Sequence, residues 1–189
     1  MYLYNDNGKH LGWFTWKDAY EISKSIDFAV YSFAFYETIP KNNVLPFQLE
    51  DTFYIGMSCG KYFDKKNRTP TGGQLTTYLQ KRLLIHNKYL SNPTPTSKKS
   101  KMFFEAYNPI LQPGKQRYVS ISVPDVDMDS RIVRSFISLV ESEHIYLYTK
   151  KFGQPPLLNL DEQYKPNRLK NSISNRVMSS PNLIELMNT

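Results

Sequence analysis

Two short stretches, Phe28-Ala29-Val30-Tyr31-Ser32-Phe33 and Phe53-Tyr54-Ile55-Gly56-Met57, decide the fold of this chain. Each is a run of aromatic and β-branched residues with a tyrosine among apolar neighbours, a composition that favours strands. We predict that the first strand runs from about Phe28 to Tyr36. The segment 37–51 contains two prolines and the Asn42-Asn43 pair, so it is predicted to be a loop.

The rest of the chain supplies one more strand and three helices. Residues Arg117 to Val123 alternate and are rich in β-branched residues, which predicts a third strand. Gln74 to Lys88 and Ser130 to Tyr148 have the apolar spacing of amphipathic helices. Thr15-Trp16-Lys17-Asp18 resembles a capping box and predicts a short helix that ends at about Ser25. The expected fold is α/β (α+β), with a small mixed three-stranded central sheet flanked by helices.

The length of 189 residues favours a single domain. Residues 1–27 are expected to form an N-terminal extension, in which a hairpin turns at Asn5-Asp6-Asn7-Gly8 and is followed by the short helix. The domain core is predicted to span residues 28–159. The tail, residues 160–189, can pack on the core, pair with a second subunit or follow DNA.

Cysteine usage and hydropathy point to a location inside the cell. Cys59 is the only cysteine, which excludes an intrachain disulfide and a cysteine-based zinc site. The first residues lack the basic start and apolar stretch of a signal peptide. No apolar run approaches the roughly 18 residues needed to cross a bilayer. We therefore expect a cytoplasmic location and no membrane partner.

The positive charge of the chain is concentrated in one segment. Between Gly60 and Met102 there are ten basic residues and one acidic residue, Asp64. A segment of this kind suits a nucleic-acid backbone, and the alternative is a solvated surface that binds no nucleic acid. The basic residues are Lys61, Lys65, Lys66, Arg68, Lys81, Arg82, Lys88, Lys98, Lys99 and Lys101.

Two polar groups on the predicted helices stand out. Arg82 and His86 are one helical turn apart, so they project from the same face. Glu141 falls within the apolar rhythm of its helix, four positions from both Ile137 and Ile145. A carboxylate at such a position is costly to bury unless it is paired or binds a metal ion.

Together these motifs resemble the GIY-YIG nuclease family. Tyr54-Ile55-Gly56 matches the second signature letter for letter, and Ala29-Val30-Tyr31 is a degenerate form of the first, without its glycine. Arg82-Leu83-Leu84-Ile85-His86 supplies the arginine and histidine that the family places on the helix after the second signature. Glu141 matches the metal-binding glutamate that follows the third strand, and Asn159 matches the closing asparagine near a proline-rich end.

The resemblance implies a metal-dependent endonuclease with a defined set of catalytic residues. Tyr31 is expected to be the general base and Tyr54 the assisting phenol, although the family pattern leaves their order open. Arg82 is expected to stabilise charge on the phosphate, and His86 to position the nucleophile or contact phosphate. Glu141 is expected to hold one Mg²⁺ (or Mn²⁺) ion.

Other assignments remain open at these positions. Glu143 is the alternative metal ligand, whereas Glu105 precedes the third strand and so lies in the wrong place. Packing in an aromatic core is the alternative role for both tyrosines. His144 is expected to be an ordinary helical residue.

The long loops inserted into a compact chain look most like those of a type II restriction endonuclease that reads duplex DNA through them. Such an enzyme, with one site per chain, would act as a homodimer on a palindromic target or nick twice. The alternatives are a phage or mobile-element (homing-like) nuclease, a repair nuclease, or a non-catalytic nucleic-acid-binding protein on the same fold.

Overall fold

The computed structural model describes residues 8–61, 76–77, 79–91, 114–124 and 130–159. In chain order these contain β1 (Gly8–Thr15), α1 (Trp16–Ile22), a 3₁₀ turn (Ser23–Ser25), β2 (Phe28–Tyr36), a 3₁₀ turn (Pro46–Gln48), β3 (Thr52–Lys61), β4 (Thr76–Thr77), α2 (Leu79–Ser91), β5 (Gln116–Pro124), α3 (Ser130–Phe152) and a 3₁₀ turn (Leu157–Asn159). Among the helices in these ranges, none has the length and apolar character that crossing a bilayer requires.

The strands form one sheet in the order β1-β5-β2-β3-β4, and all four pairings are antiparallel. The three predicted strands are present as β2, β3 and β5 at the centre, so the expected α+β class is correct. The expected sheet was too small, because β1 joins it as a fourth long strand and the two-residue β4 extends it further. In the described residues the sheet is antiparallel rather than mixed.

Part of the predicted N-terminal extension, Gly8–Thr15, joins the central sheet. The predicted hairpin arm His10–Phe14 lies in β1, which pairs with β5 and places Trp13 opposite Ser120. Pairing with β1 covers an edge of β5 that would otherwise expose unpaired backbone groups. The other predicted arm, Tyr2-Leu3-Tyr4, lies outside the described residues.

Local sequence explains where α1 and α2 begin. The side chain of Thr15 caps α1 by accepting a hydrogen bond from the Asp18 amide at 3.2 Å, as the capping motif predicts. The predicted start of α2 at Gln74 was too early, because Thr76–Thr77 pair with Gly60 and Lys61 as β4. Threonine is β-branched and favours a strand when an edge is available.

Helix α3 continues past its predicted end at Tyr148 and stops at a glycine. Gly153 adopts a φ of +80° and donates its amide to the carbonyl of Thr149 at 2.8 Å. A glycine in the left-handed conformation satisfies the last carbonyls of a helix without a side-chain clash, so it ends α3 here.

Helices cover both faces of the sheet. Tyr31, Phe33 and Phe35 lie on one face, called the Tyr31 face, and pack against α1 and α2. Val30 and Ile55 lie on the opposite face, called the Val30 face, and pack against α3. Neighbouring residues of a strand point to opposite faces, so Val30 and Tyr31 assign the two layers.

The inserted segment 37–51 packs on the Val30 face beside α3. The indole Nε1 of Trp13 donates to the carbonyl of Val44 at 2.7 Å, and the amide of Trp13 donates to Asn42 Oδ1 at 3.2 Å. Near its end the segment meets α3, where the Tyr148 hydroxyl donates to the carbonyl of Glu50 at 2.5 Å. The insertion thus covers Trp13 of β1 and contacts α3 on this face.

Candidate functional site

A hydrogen bond between a tyrosine and a histidine joins the Tyr31 face to α2. The hydroxyl of Tyr31 lies 2.7 Å from Nε2 of His86, although the two residues are 55 positions apart in the chain. Their side chains are 1% and 2% exposed, so the pair is shielded from bulk water. A buried phenol next to an imidazole nitrogen can pass its proton to that nitrogen.

Further aromatic rings enclose His86. The ring of Tyr54 lies 4.8 Å from the imidazole and 6.0 Å from the ring of Tyr31, measured between centroids. Phe33 approaches the imidazole at 5.3 Å and Tyr89 at 6.1 Å, each edge-on. Tyr31, Tyr54 and His86 form the tyrosine–histidine cluster, which brings together three residues that the family resemblance predicted.

The surroundings of position 56 explain why a glycine is found there, two residues after Tyr54. Gly56 lies directly opposite Tyr31 in the β2–β3 pairing and on the same face as Tyr54. A Cβ atom at this position would lie 2.5 Å from Oη of Tyr54 and 2.6 Å from its Cε1. The ring of Tyr54 therefore occupies the space that any other residue would need.

Arg82 lies one turn before His86 on α2 and is half-buried. Its Nε is buried and has no hydrogen-bond acceptor within the described residues. Burying a charged donor without an acceptor is costly, and the planar guanidinium suits two oxygens of a phosphate.

Asn159 closes the edge of β3 beside the cluster. Its Oδ1 accepts from the amide of Ile55 and its Nδ2 donates to the carbonyl of Ile55, each at 2.8 Å. In the described residues β4 pairs with β3 only at Gly60 and Lys61, so Asn159 takes the place of a neighbouring strand. This contact gives Asn159 a positioning role, while its direct participation in catalysis stays a prediction.

The predicted metal ligand Glu141 lies on the other side of the sheet from the cluster. It is half-buried on α3, whose neighbouring residues Val140 and Ile145 pack against the Val30 face. The described contacts therefore do not bring Glu141 together with Tyr31 and His86.

The two candidate carboxylates differ in exposure, since Glu141 is half-buried and Glu143 is buried. Magnesium keeps several of its waters and is often bound by only one or two carboxylates, so a ligand with access to solvent suits it. Glu143 is only 9% exposed, which leaves less room for a hydrated ion. Within the described ranges no three histidine, cysteine, aspartate or glutamate side chains form a closed metal site.

Few of the predicted nucleic-acid-binding residues can be placed. Lys81 and Lys88 are exposed on α2, and the backbone of Lys61 lies at the end of β3. The others lie outside the described residues, as does the rival acid Glu105; they are Lys65, Lys66, Arg68, Lys98, Lys99 and Lys101.

The sequence reasoning gave no role to Arg117, which connects three elements on the Tyr31 face. Its guanidinium carbon lies 3.7 Å from the ring centroid of Trp16 in α1. Its Nη2 donates to Asn87 Oδ1 of α2 at 2.9 Å. The sequence did contain a signal for this role. Arg117 begins the alternating strand and falls on the same side of it as the apolar residues.

The Val30 face holds the half-buried His10 and the fully buried His144, of which His144 was expected to be an ordinary helical residue. His10 lies 3.0 Å from the Ser122 hydroxyl, through Nδ1, and burial lowers the pKa of His10 to about 4. Burial, with a smaller contribution from His10, lowers the pKa of His144 to about 3. Both imidazoles are therefore neutral at pH 7, which links them to stability and not to the cluster.

Comparisons with family models, with curated proteins and with solved structures found no match to this chain. The assignment of function therefore rests on the sequence motifs and on the geometry of the residues that carry them.

Proposed function

We propose that this protein is a divalent-metal-dependent endonuclease of the GIY-YIG type, which hydrolyses phosphodiester bonds of DNA. The observation that carries the proposal is the buried hydrogen bond between Tyr31 and His86, next to Tyr54 and above Gly56. The motifs predicted these four positions from three distant parts of the chain. Their meeting in one cluster is unexpected for chance matches.

The tyrosine–histidine pair supplies a route for a proton. A phenol with a pKa of ~10 is a poor base at neutral pH unless a neighbour takes its proton. When Nε2 of His86 carries no proton, the hydroxyl of Tyr31 donates to it; transfer of that proton to Nε2 would leave a Tyr31 phenolate, which becomes a phenol again when it accepts the proton of the attacking water. Tyr31 is fully buried whereas Tyr54 is half-buried, so Tyr54 is the phenol that can touch a substrate directly.

Arg82 supplies the positive charge on the same helix. Its guanidinium would bind the phosphate oxygens and stabilise the charge that builds up as water attacks. Loss of such a donor typically costs ~10²–10³ in rate. Glu141 stays the predicted Mg²⁺ ligand, but it lies on α3 at the Val30 face, so an ion held there would not contact a phosphate bound at Arg82.

The test is cleavage of supercoiled plasmid DNA with Mg²⁺ by the wild type and two matched variants. Tyr31→Phe removes only the hydroxyl that meets His86, and should slow cleavage by about 10²-fold or more. Tyr89→Phe removes a hydroxyl from another ring that contacts His86, and should leave the rate within a few-fold. Equal rates for all three proteins would overturn the assignment of the cluster.

The pattern of products separates the kinds of nuclease. Discrete fragments indicate the restriction-like enzyme that we favour, working as a homodimer if its target is palindromic. Random nicking keeps the nuclease and removes that specificity.

A non-catalytic DNA-binding protein on the same fold is the second candidate. The burial of Tyr31 and His86 favours it, because a shielded hydrogen-bonded pair also serves as a core contact. DNA that is bound but never cut, with any divalent metal, would support this candidate and exclude the first.

A further inference from the structure

The outward face of α2 is basic and partly apolar. Lys81, Leu84 and Lys88 recur at the spacing that places them on one side of a helix, and all three are exposed. Leu84 is 42% exposed between the two lysines. Helix α2 contains three basic residues and no aspartate or glutamate, so this face offers an anionic partner no repulsion.

A cation also lies on each flank of α2. Arg82 and Asn87 are five positions apart, which separates them by about 140° around the helix axis, on either side of the buried His86. The guanidinium of Arg117 lies at the Asn87 flank, where it contacts the ring of Trp16 and donates to Asn87 Oδ1. Arg82 therefore lies on one flank of α2 and Arg117 of β5 lies at the other flank. Lys81 and Lys88 lie on the outward face between them.

We infer that α2 is the recognition helix of this protein and lies in the major groove of duplex DNA. The inference rests on the proposed function and names the surface that reads the substrate. An α-helix with its side chains is about 10–12 Å wide, and the major groove is about 12 Å wide. Arg82 and Arg117 face the phosphates on the two rims, the lysines extend to the same phosphates, and Leu84 faces the base edges.

The segment 37–51 does not suit this task, although an inserted loop was the expected reader. Trp13, Tyr148 and Lys151 fix it to the Val30 face, on the opposite side of the sheet from Arg82. It also contains three acidic residues against one lysine, Lys41. DNA with its phosphate at Arg82 would meet α2 and not this loop.

The experiment measures binding of a fluorescent DNA duplex by anisotropy at several salt concentrations, without divalent metal so that no strand is cut. For each phosphate contact that is lost, the slope of log K against log salt should fall by about 0.9. Lys88→Gln should produce this change, and the double variant with Lys81→Gln about twice as much. The matched control is Lys150→Gln, which removes an exposed lysine of α3 and should leave the slope unchanged.

Groove position is tested with modified DNA. Guanine N7 lies in the major groove, so its methylation should weaken binding several-fold, whereas a minor-groove ligand should not compete. Leu84→Ala should leave the salt slope unchanged, because Leu84 carries no charge. It should change the preferred sequence recovered from a pool of random duplexes, because Leu84 faces the base edges.

The outcomes separate this inference from the proposed nuclease activity. If Lys88→Gln has the slope of Lys150→Gln, or if N7 methylation has no effect, α2 is not the recognition helix even where the protein cuts DNA. If the protein shows these binding effects and never cuts DNA, α2 keeps its role and the nuclease assignment fails. If the wild type does not bind duplex DNA at all, both fail.

Discussion

Gly56→Ala is the substitution for which the structure gives the most direct expectation. The new Cβ would lie 2.5 Å from Oη, 2.6 Å from Cε1 and 2.7 Å from Cζ of Tyr54. Ordinary contacts of a Cβ atom begin at 3.4 Å, so the ring of Tyr54 must retreat by about 1 Å. It cannot do so freely, because Phe33 and His86 pack against the same ring.

Two effects should follow from this displacement. Overpacking of a close-packed core costs about 1–3 kcal/mol in the free energy of unfolding. A shift of about 1 Å at a reacting group can cost about 10²-fold in rate. We therefore expect Gly56→Ala to lower the midpoint of urea unfolding and to slow DNA cleavage by about two orders of magnitude.

A double-mutant cycle assigns the cause. In a Tyr54→Ala background the ring is absent, so adding Gly56→Ala should cost less than about 0.5 kcal/mol. Unfolding free energies of the wild type, the two single variants and the double variant give the coupling directly. An unchanged cost of Gly56→Ala without the ring would refute the steric reasoning, whatever the protein's activity is.

Three further results are expected. The folded-state pKa values of His10 and His144 lie below the ordinary 6.5, so the unfolded chain takes up protons first as the pH falls. The free energy of unfolding should be constant above pH 6.5. Below pH 6.5 it should decrease by up to about 1.4 kcal/mol per pH unit for each histidine. Urea titrations at pH 7.5, 6 and 5 measure this change. Asn159→Ala leaves two backbone groups of Ile55 without partners, which should cost about 2–4 kcal/mol and speed hydrogen exchange of the Ile55 amide; unchanged exchange would remove the positioning role. Arg82→Lys keeps the charge and loses the planar fork, so cleavage should slow by at least about 10-fold while the salt slope of binding stays the same.

The local pattern of the sequence was sufficient for the elements at the centre of the fold. Runs of aromatic and β-branched residues identified β2, β3 and β5, and leucines four positions apart identified α2. The same spacing placed Arg82 and His86 on one side of that helix. The contact of His86 with Tyr31 was not predicted from spacing, which does not say which strand a helix covers; the family resemblance placed the two residues only in one set of catalytic residues.

Long-range choices were not predictable in this way. A strand's own residues do not say which edge it joins, so the sequence predicted β1 as a hairpin arm but not its pairing with β5. The contact of Asn159 with Ile55 joins residues 104 positions apart, and no local sequence pattern predicts it. The apolar rhythm around Glu141 showed that α3 is buried, but it could not show which face of the sheet the helix covers.

The two faces of the sheet have separate tasks. Addition of β1 widens the sheet beyond what α3 can cover, so Trp13 would be exposed on the Val30 face without the segment 37–51. The Tyr31 face differs, because α2 covers it with buried residues on one side and presents basic residues on the other. Among the described elements, α2 both encloses His86 and carries the exposed Lys81 and Lys88, so under the proposed function it is the element that would link bound DNA to the tyrosine–histidine cluster.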